Sequence, residues 1–256
     1  MVKEKISILG CGWLGKHLGV SLAQKGLVVY GSTTSKENFD KLNSVGITPF
    51  QINLNDLINC NSEFFNSEIL IISVTSKDIP HFRQLITNIE LSSVQKILFV
   101  SSTSVYDNSN RVVTEETEVN KSPLSLIEKL FLDNKKFKTI IIRFGGLFGY
   151  DRNPANFYTP GREIANPEGF VNLIHRDNCV SIIEKIILKD TWGEIYNACA
   201  DSHPTRRDFY TNEIKKQKLK MPIFDEVSRN AYKIVSSEKL KSALNYKFKY
   251  PDLLNY

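Results

Sequence analysis

Residues 6–15 read Ile6-Ser7-Ile8-Leu9-Gly10-Cys11-Gly12-Trp13-Leu14-Gly15, an apolar run of strand length that ends in the pattern G-x-G-x-x-G. This pattern predicts a strand, a tight turn and a helix. Gly10 would form the turn, Gly12 would let a pyrophosphate approach the backbone, and Gly15 would let helix and strand pack closely. The free N–H groups of the helix N-terminus would then face the phosphates. We therefore predict a dinucleotide site with contacts from Gly10, Gly12, Trp13, Leu14 and Gly15.

The segments that follow the glycines support this interpretation. Leu14, Leu18 and Leu22 recur at helical spacing, and a second apolar strand begins after Gly26. Further strands are predicted at 48–53, 69–74, 96–101, 139–144 and 194–198, and helices at 36–45, 79–89, 124–133 and 177–189. Strands as apolar as these are covered on both faces of a parallel sheet. The predicted fold class is α/β, a doubly wound parallel sheet of the Rossmann type with a small C-terminal subdomain on the substrate side.

The residue composition changes after Phe144, where frequent glycine, proline, asparagine and aromatic residues predict a long loop. We predict a dinucleotide-binding core over residues 1–150, rejoined by about 175–200. Residues 151–174 and 201–256 would form the small subdomain. Within it, helices are predicted at 205–219, with Thr205 as the N-cap, and around 236–244.

The composition is that of an ordinary globular chain. Its 256 residues and 41% hydrophobic content are enough to build a full core. The longest apolar runs have strand length and stay far below the roughly 18 residues of a membrane span. The first residues show no signal-peptide pattern. We expect no membrane association and a cytoplasmic location.

Charge and cysteine content argue against a nucleic-acid-binding protein and against a protein held together by disulfides or a metal ion. The net charge of +5 is spread along the chain apart from residues 215–220, a run that we interpret as a solvated helix end, so we expect no nucleic-acid partner. Cys11, Cys60, Cys179 and Cys199 are far apart and lie in no metal-ligand spacing, which predicts neither disulfide nor metal site. We interpret Cys11 as a small buried residue of the glycine loop.

The end of the second predicted strand bears on the choice of dinucleotide. An acidic residue about 20 positions after the glycines binds ribose hydroxyls in folds of this type, and Thr33 stands at that place. A 2′-phosphate is attracted by hydroxyls and a cation, and no carboxylate is present here to repel it. NADP is therefore favoured over NAD, with contacts from Thr33, Thr34, Ser35 and Lys36. Ser35 alternatively caps the next helix, because both roles use the same groups. Val74 and Ser101, at later strand ends, complete the predicted cofactor contacts.

Three further segments share features with a known family. Residues 101–106 read Ser-Ser-Thr-Ser-Val-Tyr after the fifth strand, residues 143–149 follow the sixth, and 171–177 precede a helix. With the glycine loop and residues 235–251, they make the chain resemble, over almost its whole length, the extended short-chain dehydrogenase/reductase family of sugar-nucleotide epimerases and dehydratases. The resemblance implies NADP or NAD as cofactor and a small-molecule substrate such as a nucleotide sugar. It also assigns binding of the substrate oxygen to Ser102, while Asp107 replaces a glycine of the family motif.

The family's Tyr-x-x-x-Lys pair, the general acid/base and the lysine that lowers its pKa, is the main departure. No tyrosine lies between Tyr106 and Tyr150. One register places Ser125 and Lys129 at the two positions. Another aligns Glu128 with the glutamate that follows the pair, and then neither catalytic residue is present. A serine hydroxyl does not replace a phenol of pKa roughly 10 near neutral pH, and the pattern is similar to the family's atypical branch, which lacks the pair.

Other side chains are candidates for catalysis or substrate binding. Tyr106 and His175 carry groups that can donate a proton, with packing and loop ordering as the alternative roles. Arginines bind phosphates bidentately, although Arg143 at a strand end has a structural ion pair as its alternative. The predicted catalytic residues are Ser102 and Tyr106, and the predicted substrate-binding residues are Asn172, His175, Arg162 and Arg206.

Two functions from different classes remain open at this point. The first is an enzyme that transfers hydride at a carbinol carbon of a sugar or related substrate, with Ser102 orienting the oxygen. The second is a non-catalytic protein that senses a dinucleotide or binds a partner. The missing tyrosine favours the second function or an altered mechanism. A homodimer is kept as an alternative to a single chain.

Overall fold

A computed structural model describes residues 4–57, 62–158 and 163–256. Its strands are β1 (Lys5–Leu9), β2 (Val28–Thr33), β3 (Ile47–Gln51), β4 (Ile69–Ile72), β5 (Lys96–Ser102), β6 (Val112–Val113), β7 (Lys138–Phe144), β8 (Gly146–Phe148), β9 (Leu173–His175), β10 (Ile195–Ala198) and β11 (Ile234–Val235). Its α-helices are α1 (Gly15–Gln24), α2 (Phe39–Asn43), α3 (Ile79–Glu90), α4 (Pro123–Asp133), α5 (Arg176–Lys189), α6 (Arg206–Lys216) and α7 (Glu238–Leu244).

Seven of the strands form one parallel sheet in the order β10-β7-β5-β4-β1-β2-β3. In its register Ile8 pairs with Gly31 on one side and with Ile71 on the other. All four residues of β4 are buried, because this strand lies inside the sheet between β1 and β5. Read from the β3 edge, the order begins 3-2-1-4-5, as in nucleotide-binding doubly wound folds. The predicted fold class is therefore confirmed.

Local signals explain where several helices begin. Asp78, Ser122 and Thr205 each accept a backbone N–H of the first turn with their side chains, at α3, α4 and α6 respectively. Such caps satisfy donors that have no partner within the helix. The N-cap predicted at Thr205 is confirmed. At α1, in contrast, Leu14 stands at the cap position and its side chain caps nothing.

The chain divides into two compact units. The first comprises Met1–Ser101, Lys121–Ile142 and Ile183–Ile195, and part of its core is a group of three rings, Phe82, Phe99 and Phe131, with centroids 5.2 to 6.0 Å apart. The second comprises Ser102–Asn120, Arg143–Ile182 and Tyr196–Tyr256. Its core includes Phe148, Val171, Ala200, Phe209 and Leu253. The functional division into residues 1–150 and a substrate-side subdomain stays a prediction.

Four short strands of the second unit were not predicted. β8 pairs with β9, and β6 pairs with β11, in segments that sequence analysis leaves as loops or unassigned. Strands of two or three residues carry no readable periodicity, because their pairing depends on partners far away in the chain. No helix among the described residues is long and apolar enough to span a bilayer.

Candidate functional site

The glycine loop has the backbone that the motif requires. Gly10 has a φ of +100°, and a Cβ added there would lie 2.5 Å from the carbonyl oxygen of Ser73. A Cβ on Gly15 would lie 2.1 Å from the carbonyl oxygen of Gly10, whereas one on Gly12 would meet nothing within 4 Å. The loop is held to β2 by the N–H of Gly10, which donates to Ser32 Oγ at 2.8 Å. Gly10 and Gly15 therefore serve the turn and the close packing, while the backbone at Gly12 is open to a ligand.

The residues between the second and third glycines lead into α1. Leu14 is 4% exposed, so its side chain belongs to the core and only its backbone faces the loop. The carbonyl oxygen of Trp13 lies 2.9 Å from His17 Nδ1. The first N–H groups of α1 receive no side-chain cap. Uncapped amides at a helix N-terminus attract anions, so this arrangement fits the phosphates of a dinucleotide.

A cavity of about 420 Å³ opens beside the glycine loop within the first unit. The residues that line it lie at or after the carboxyl ends of β1, β2, β3 and β4. They are Leu9, Gly10, Cys11, Gly12, Ser32, Thr33, Thr34, Asn38, Ile52, Asn53, Leu54, Asn55, Ser73, Val74, Thr75 and Ser76. The residues at 38 and 52–55 were not predicted, although they follow strands whose carboxyl ends meet at the ligand-binding edge of such a sheet. None of the lining residues is charged. Cavities of about 560 and 600 Å³ elsewhere include no glycine-loop residue.

The four residues predicted to select NADP occupy different positions. Thr33 and Thr34 line the cavity, whereas Ser35 and Lys36 do not. Ser35 Oγ accepts the N–H of Glu37 at 3.3 Å and so caps a short 3-10 helix, the alternative role considered for it. Lys36 is exposed. The hydroxyls therefore face the cavity, and the cation lies on the adjoining surface.

Neither Ser101 nor Ser102 lines that cavity. Ser101 is buried, and its hydroxyl donates to the carboxylate of Glu128 at 2.5 Å. Ser102 is half-buried, and its Oγ accepts the N–H of Ser104 at 3.1 Å, which caps the 3-10 turn Thr103–Val105. The hydroxyl of Ser101 is thus engaged with a protein partner. Cofactor binding by Ser101 and substrate binding by Ser102 stay predictions.

The two residues that one register aligns with Tyr-x-x-x-Lys have structural contacts in α4. Ser125 is buried, and its hydroxyl donates to the carbonyl of Ser122 at 2.8 Å. The side chain of Lys129 is 70% exposed and pairs with Asp133 at 3.0 Å. Glu128, the residue on which the other register rests, is buried and accepts the hydroxyl of Ser101, and the choice of register stays a prediction. Residues 123–133 therefore contain no acid/base pair of the standard kind.

Tyr106 is held in a buried hydrogen-bonded group of the second unit. Its hydroxyl accepts from Arg143 Nη1 at 2.6 Å and donates to Asn197 Oδ1 at 2.9 Å. Burial raises the pKa of Tyr106, and the Arg143 guanidinium opposes this shift. Arg143 is 4% exposed, so it is embedded together with its phenol partner. This geometry supports packing, the alternative role considered for Tyr106, and its catalytic role stays a prediction.

His175 ends β9 and lies among aromatic rings. Its Nδ1 accepts the N–H of Asp177 at 3.2 Å, which leaves Nε2 to carry the ring proton. The rings of Tyr250 and Tyr150 lie 4.1 and 5.3 Å from it, centroid to centroid. Burial lowers the pKa of His175, partly opposed by the charge of Asp177. The imidazole is therefore packed among rings, and burial disfavours its protonated form.

The other predicted substrate residues also have protein partners. Asn172 donates from Nδ2 to the carbonyl of Lys233 at 2.9 Å and accepts the N–H of Val235 at 2.8 Å. Arg206 donates from Nε to the carbonyl of Ala165 at 3.0 Å. Arg162 lies outside the described residues. Substrate contact by Asn172, His175, Arg206 and Arg162 stays a prediction.

Neither a disulfide nor a metal site is predicted for the four cysteines of the chain. Cys11, Cys179 and Cys199 are free thiols, and Cys60 lies outside the described residues. Burial raises the pKa of Cys11 to about 12, which suits a packing role in the loop. Within residues 4–57, 62–158 and 163–256 we find no group of three His, Cys, Asp or Glu side chains that could hold a metal ion.

Known proteins resemble this chain in sequence and in fold. No family model matches the chain. Protein YeeZ of Escherichia coli K12 is 28% identical over an alignment that covers 98% of both chains. A structure from Methylobacillus flagellatus, named as a candidate NAD-dependent epimerase/dehydratase, is 22% identical with a TM-score of 0.76, covering 97% of this chain and 94% of the other.

A second similar structure is that of a complex with ligands. It is a UDP-glucuronic acid 4-epimerase variant from Bacillus cereus in complex with NAD and a fluorinated UDP-sugar. It is 14% identical with a TM-score of 0.78, covering 98% of this chain and 96% of the other. The chain therefore has the fold shared by the NAD-dependent epimerase/dehydratase and short-chain dehydrogenase/reductase structures.

Proposed function

We propose that the chain binds a nicotinamide dinucleotide in the cavity beside Gly10 and Gly12, with NADP preferred over NAD. The open backbone at Gly12, next to the uncapped start of α1, is the observation that carries this proposal. The preference rests on the cavity lining, which has hydroxyls at Thr33 and Thr34 and no carboxylate to repel a 2′-phosphate. Lys36 on the adjoining surface would add attraction for that phosphate.

We further propose that the chain is an atypical member of the extended short-chain dehydrogenase/reductase family. Its reaction would be hydride transfer at a carbonyl or carbinol carbon of a nucleotide sugar or a related substrate. The fold likeness to a complex of NAD with a UDP-sugar supports this substrate class. A bound dinucleotide would supply or accept the hydride, and Ser102 would orient the substrate oxygen. A cytoplasmic location completes the proposal, and a homodimer stays an alternative to a single chain.

A second function follows from α4. Ser125 is turned toward Ser122, and Lys129 lies on the surface with Asp133, so the standard acid/base pair is not built there. A protein that binds the dinucleotide without turnover, as a sensor, needs only the glycine loop and the cavity. This alternative shares the cofactor site and differs in the absence of catalysis.

Dinucleotide binding can be measured through the fluorescence of Trp13. The chain has two tryptophans, so a Trp192→Phe variant makes Trp13 the only one. We expect NADPH and NADP⁺ to bind at least about tenfold more tightly than NADH and NAD⁺, a difference of roughly 1.4 kcal/mol. Lys36→Ala should weaken NADP⁺ binding and leave NAD⁺ binding unchanged, with Lys41→Ala as the matched surface control. Failure to bind any of the four would refute the proposal, and tighter NAD⁺ binding would refute the preference.

Turnover separates the enzyme from the sensor. The NADPH- or NADP⁺-loaded protein would be incubated with a panel of nucleotide sugars while nicotinamide absorbance and sugar products are followed. Turnover that is lost in Ser102→Ala supports the enzyme. A protein that binds the dinucleotide tightly and converts no member of the panel supports the sensor.

A further inference from the structure

Lys233 is a half-buried lysine that sequence analysis did not single out. It lies directly before β11, and its Nζ donates to the carbonyl oxygen of Tyr106. Tyr106 follows the 3-10 turn at the end of β5, four residues after Ser102. The ammonium therefore reaches the segment in which the sequence predicts the substrate oxygen to bind. All of these residues belong to the second unit.

The backbone around Lys233 is fixed on both sides. Tyr232 donates its N–H to Asn110 Oδ1 at 2.8 Å, and Ile234 donates its N–H to the carbonyl of Arg111 at 3.1 Å. Asn172 holds the carbonyl of Lys233 and the N–H of Val235 through its amide. A lysine on a fixed backbone loses less freedom when its amine binds a ligand. Asn172 is thus a positioning residue for Lys233 in this geometry.

The Lys233 ammonium also has N–H donors beyond the one that binds the Tyr106 carbonyl, and its pKa is lowered. An ammonium has three N–H groups, and among the described residues its hydrogen-bond acceptor is the Tyr106 carbonyl. Burial lowers the pKa of Lys233, opposed by the negative charge of Asp107 and by Cys199. Asp107 is the residue that replaces a glycine of the family motif. A lysine whose pKa moves toward neutrality exchanges its proton more readily with a substrate.

The other titratable groups considered for this role are engaged elsewhere. The Tyr106 hydroxyl is bound by Arg143 and Asn197. Lys129 pairs with Asp133 on the surface of α4. Lys233 differs from the buried Tyr106 hydroxyl because it is partly accessible, and from Lys129 because its amine reaches the segment that contains Ser102 and Tyr106.

We propose that Lys233 binds the substrate oxygen and supplies its proton, the task for which the Tyr-x-x-x-Lys pair is missing. This inference rests on the proposed carbonyl–carbinol function. When a carbonyl is reduced, the dinucleotide of the proposed function would supply the hydride for the new C–H bond and would itself be oxidised from NADPH to NADP⁺. The C=O π electrons move to the oxygen, which takes a proton from the Lys233 ammonium. The resulting amine recovers a proton from water, and the oxidation runs through the same steps in reverse.

The first test measures the amine itself. Lysines of the full-length protein would be dimethylated with ¹³C-formaldehyde, and their methyl resonances followed by NMR from pH 6 to 12. The Lys233 resonance is the one lost in Lys233→Met and kept in Lys247→Met, a variant of an exposed lysine. We expect it to titrate below the surface lysines. A Lys233 resonance that titrates together with them would overturn the inference.

The second test uses a nucleotide sugar converted in the panel above. Lys233→Met should lower kcat by about 10²- to 10⁴-fold, while NADPH binding, read from Trp13, stays unchanged. Lys233→Arg keeps a cation that does not give up its proton at neutral pH, so it should restore KM and not kcat. Full rescue of kcat by arginine would indicate that the Lys233 side chain has a purely structural role, and it would overturn the inference. An unchanged kcat in Lys233→Met would also overturn it. A wild-type protein that does not bind NADPH would instead count against the proposed function.

Discussion

Ser101 donates a hydrogen bond of 2.5 Å to the carboxylate of Glu128, and both side chains are buried. The contact joins the carboxyl end of β5 to the middle of α4. It engages a hydroxyl that the sequence assigns to the cofactor. This buried contact therefore bears on the role of Ser101.

This contact should be visible in a double-mutant cycle. Ser101→Ala and Glu128→Gln are each expected to lower the free energy of unfolding by about 1–3 kcal/mol, because each leaves a buried polar group with a poorer partner. The double variant should lose less than the sum of the two. Urea denaturation measures all three values. Lys129→Ala, on the exposed face of the same helix, is the control and should change stability by less than about 1 kcal/mol. Additive losses would show that the two side chains do not interact.

The glycines of the loop should respond differently to the same substitution. Gly15→Ala should lower stability by about 1–3 kcal/mol, because the new methyl group meets the backbone of Gly10 and the helix must shift. Gly12→Ala has open space around its methyl group, so the melting temperature should change little. Its NADPH affinity should nevertheless fall, because the methyl group stands where a pyrophosphate would approach. Thermal unfolding and Trp13 fluorescence would measure the two effects, and unchanged NADPH affinity in Gly12→Ala would argue against the assigned site.

Tyr106→Phe tests the buried phenol. Removing the hydroxyl takes a partner from Arg143 and from Asn197, which should lower the free energy of unfolding by about 1–3 kcal/mol. Tyr150→Phe, which removes a hydroxyl from an exposed tyrosine bonded to Asp177, should cost less. If Tyr106 only packs, turnover by the folded variant should match the wild type. Loss of turnover without loss of stability would identify Tyr106 as the acid/base and contradict the packing role.

His175 should make stability depend on pH. Because burial lowers its pKa in the folded protein, the unfolded chain binds a proton more readily as the pH falls below the ordinary histidine value of 6.5. Stability should therefore decrease from pH 6.5 downward until folded His175 also protonates. His203 contributes in the same direction, since burial lowers its pKa too.

Urea denaturation at several pH values would test this dependence. His175→Gln should flatten the decrease in stability below pH 6.5, and His203→Gln should flatten it further. Asp177, whose pKa is lowered by Lys249 and Tyr150 against the effect of burial, acts in a separate window. Its stabilisation is present above its ordinary value of 3.8 and is lost as the pH falls further. A His175→Gln variant with the wild-type slope between pH 6.5 and 5 would contradict a buried neutral imidazole.

Short-range patterns were enough to predict most of the sheet, its helices and the glycine loop. Apolar runs, helical spacing and caps such as Thr205 involve residues within a few positions of one another, so their physical effect can be read locally. The requirement for glycine at position 15 is of the same kind, because the turn brings Gly15 against Gly10, and so is the positive φ of Gly10. The cavity at the carboxyl ends of the first strands then follows from the topology of a parallel sheet.

The partners of individual side chains could not be predicted in this way. Asn172, which the sequence assigns to substrate, holds the backbone of Lys233, 61 residues away. Lys233 in turn reaches Tyr106 across 127 residues. Residue type and spacing predict which groups a segment offers, but long-range packing selects the donor that meets each acceptor. A buried polar group must take whichever partner the fold brings to it, and this is why only the tertiary structure revealed the contacts of Ser101, Tyr106 and Lys233.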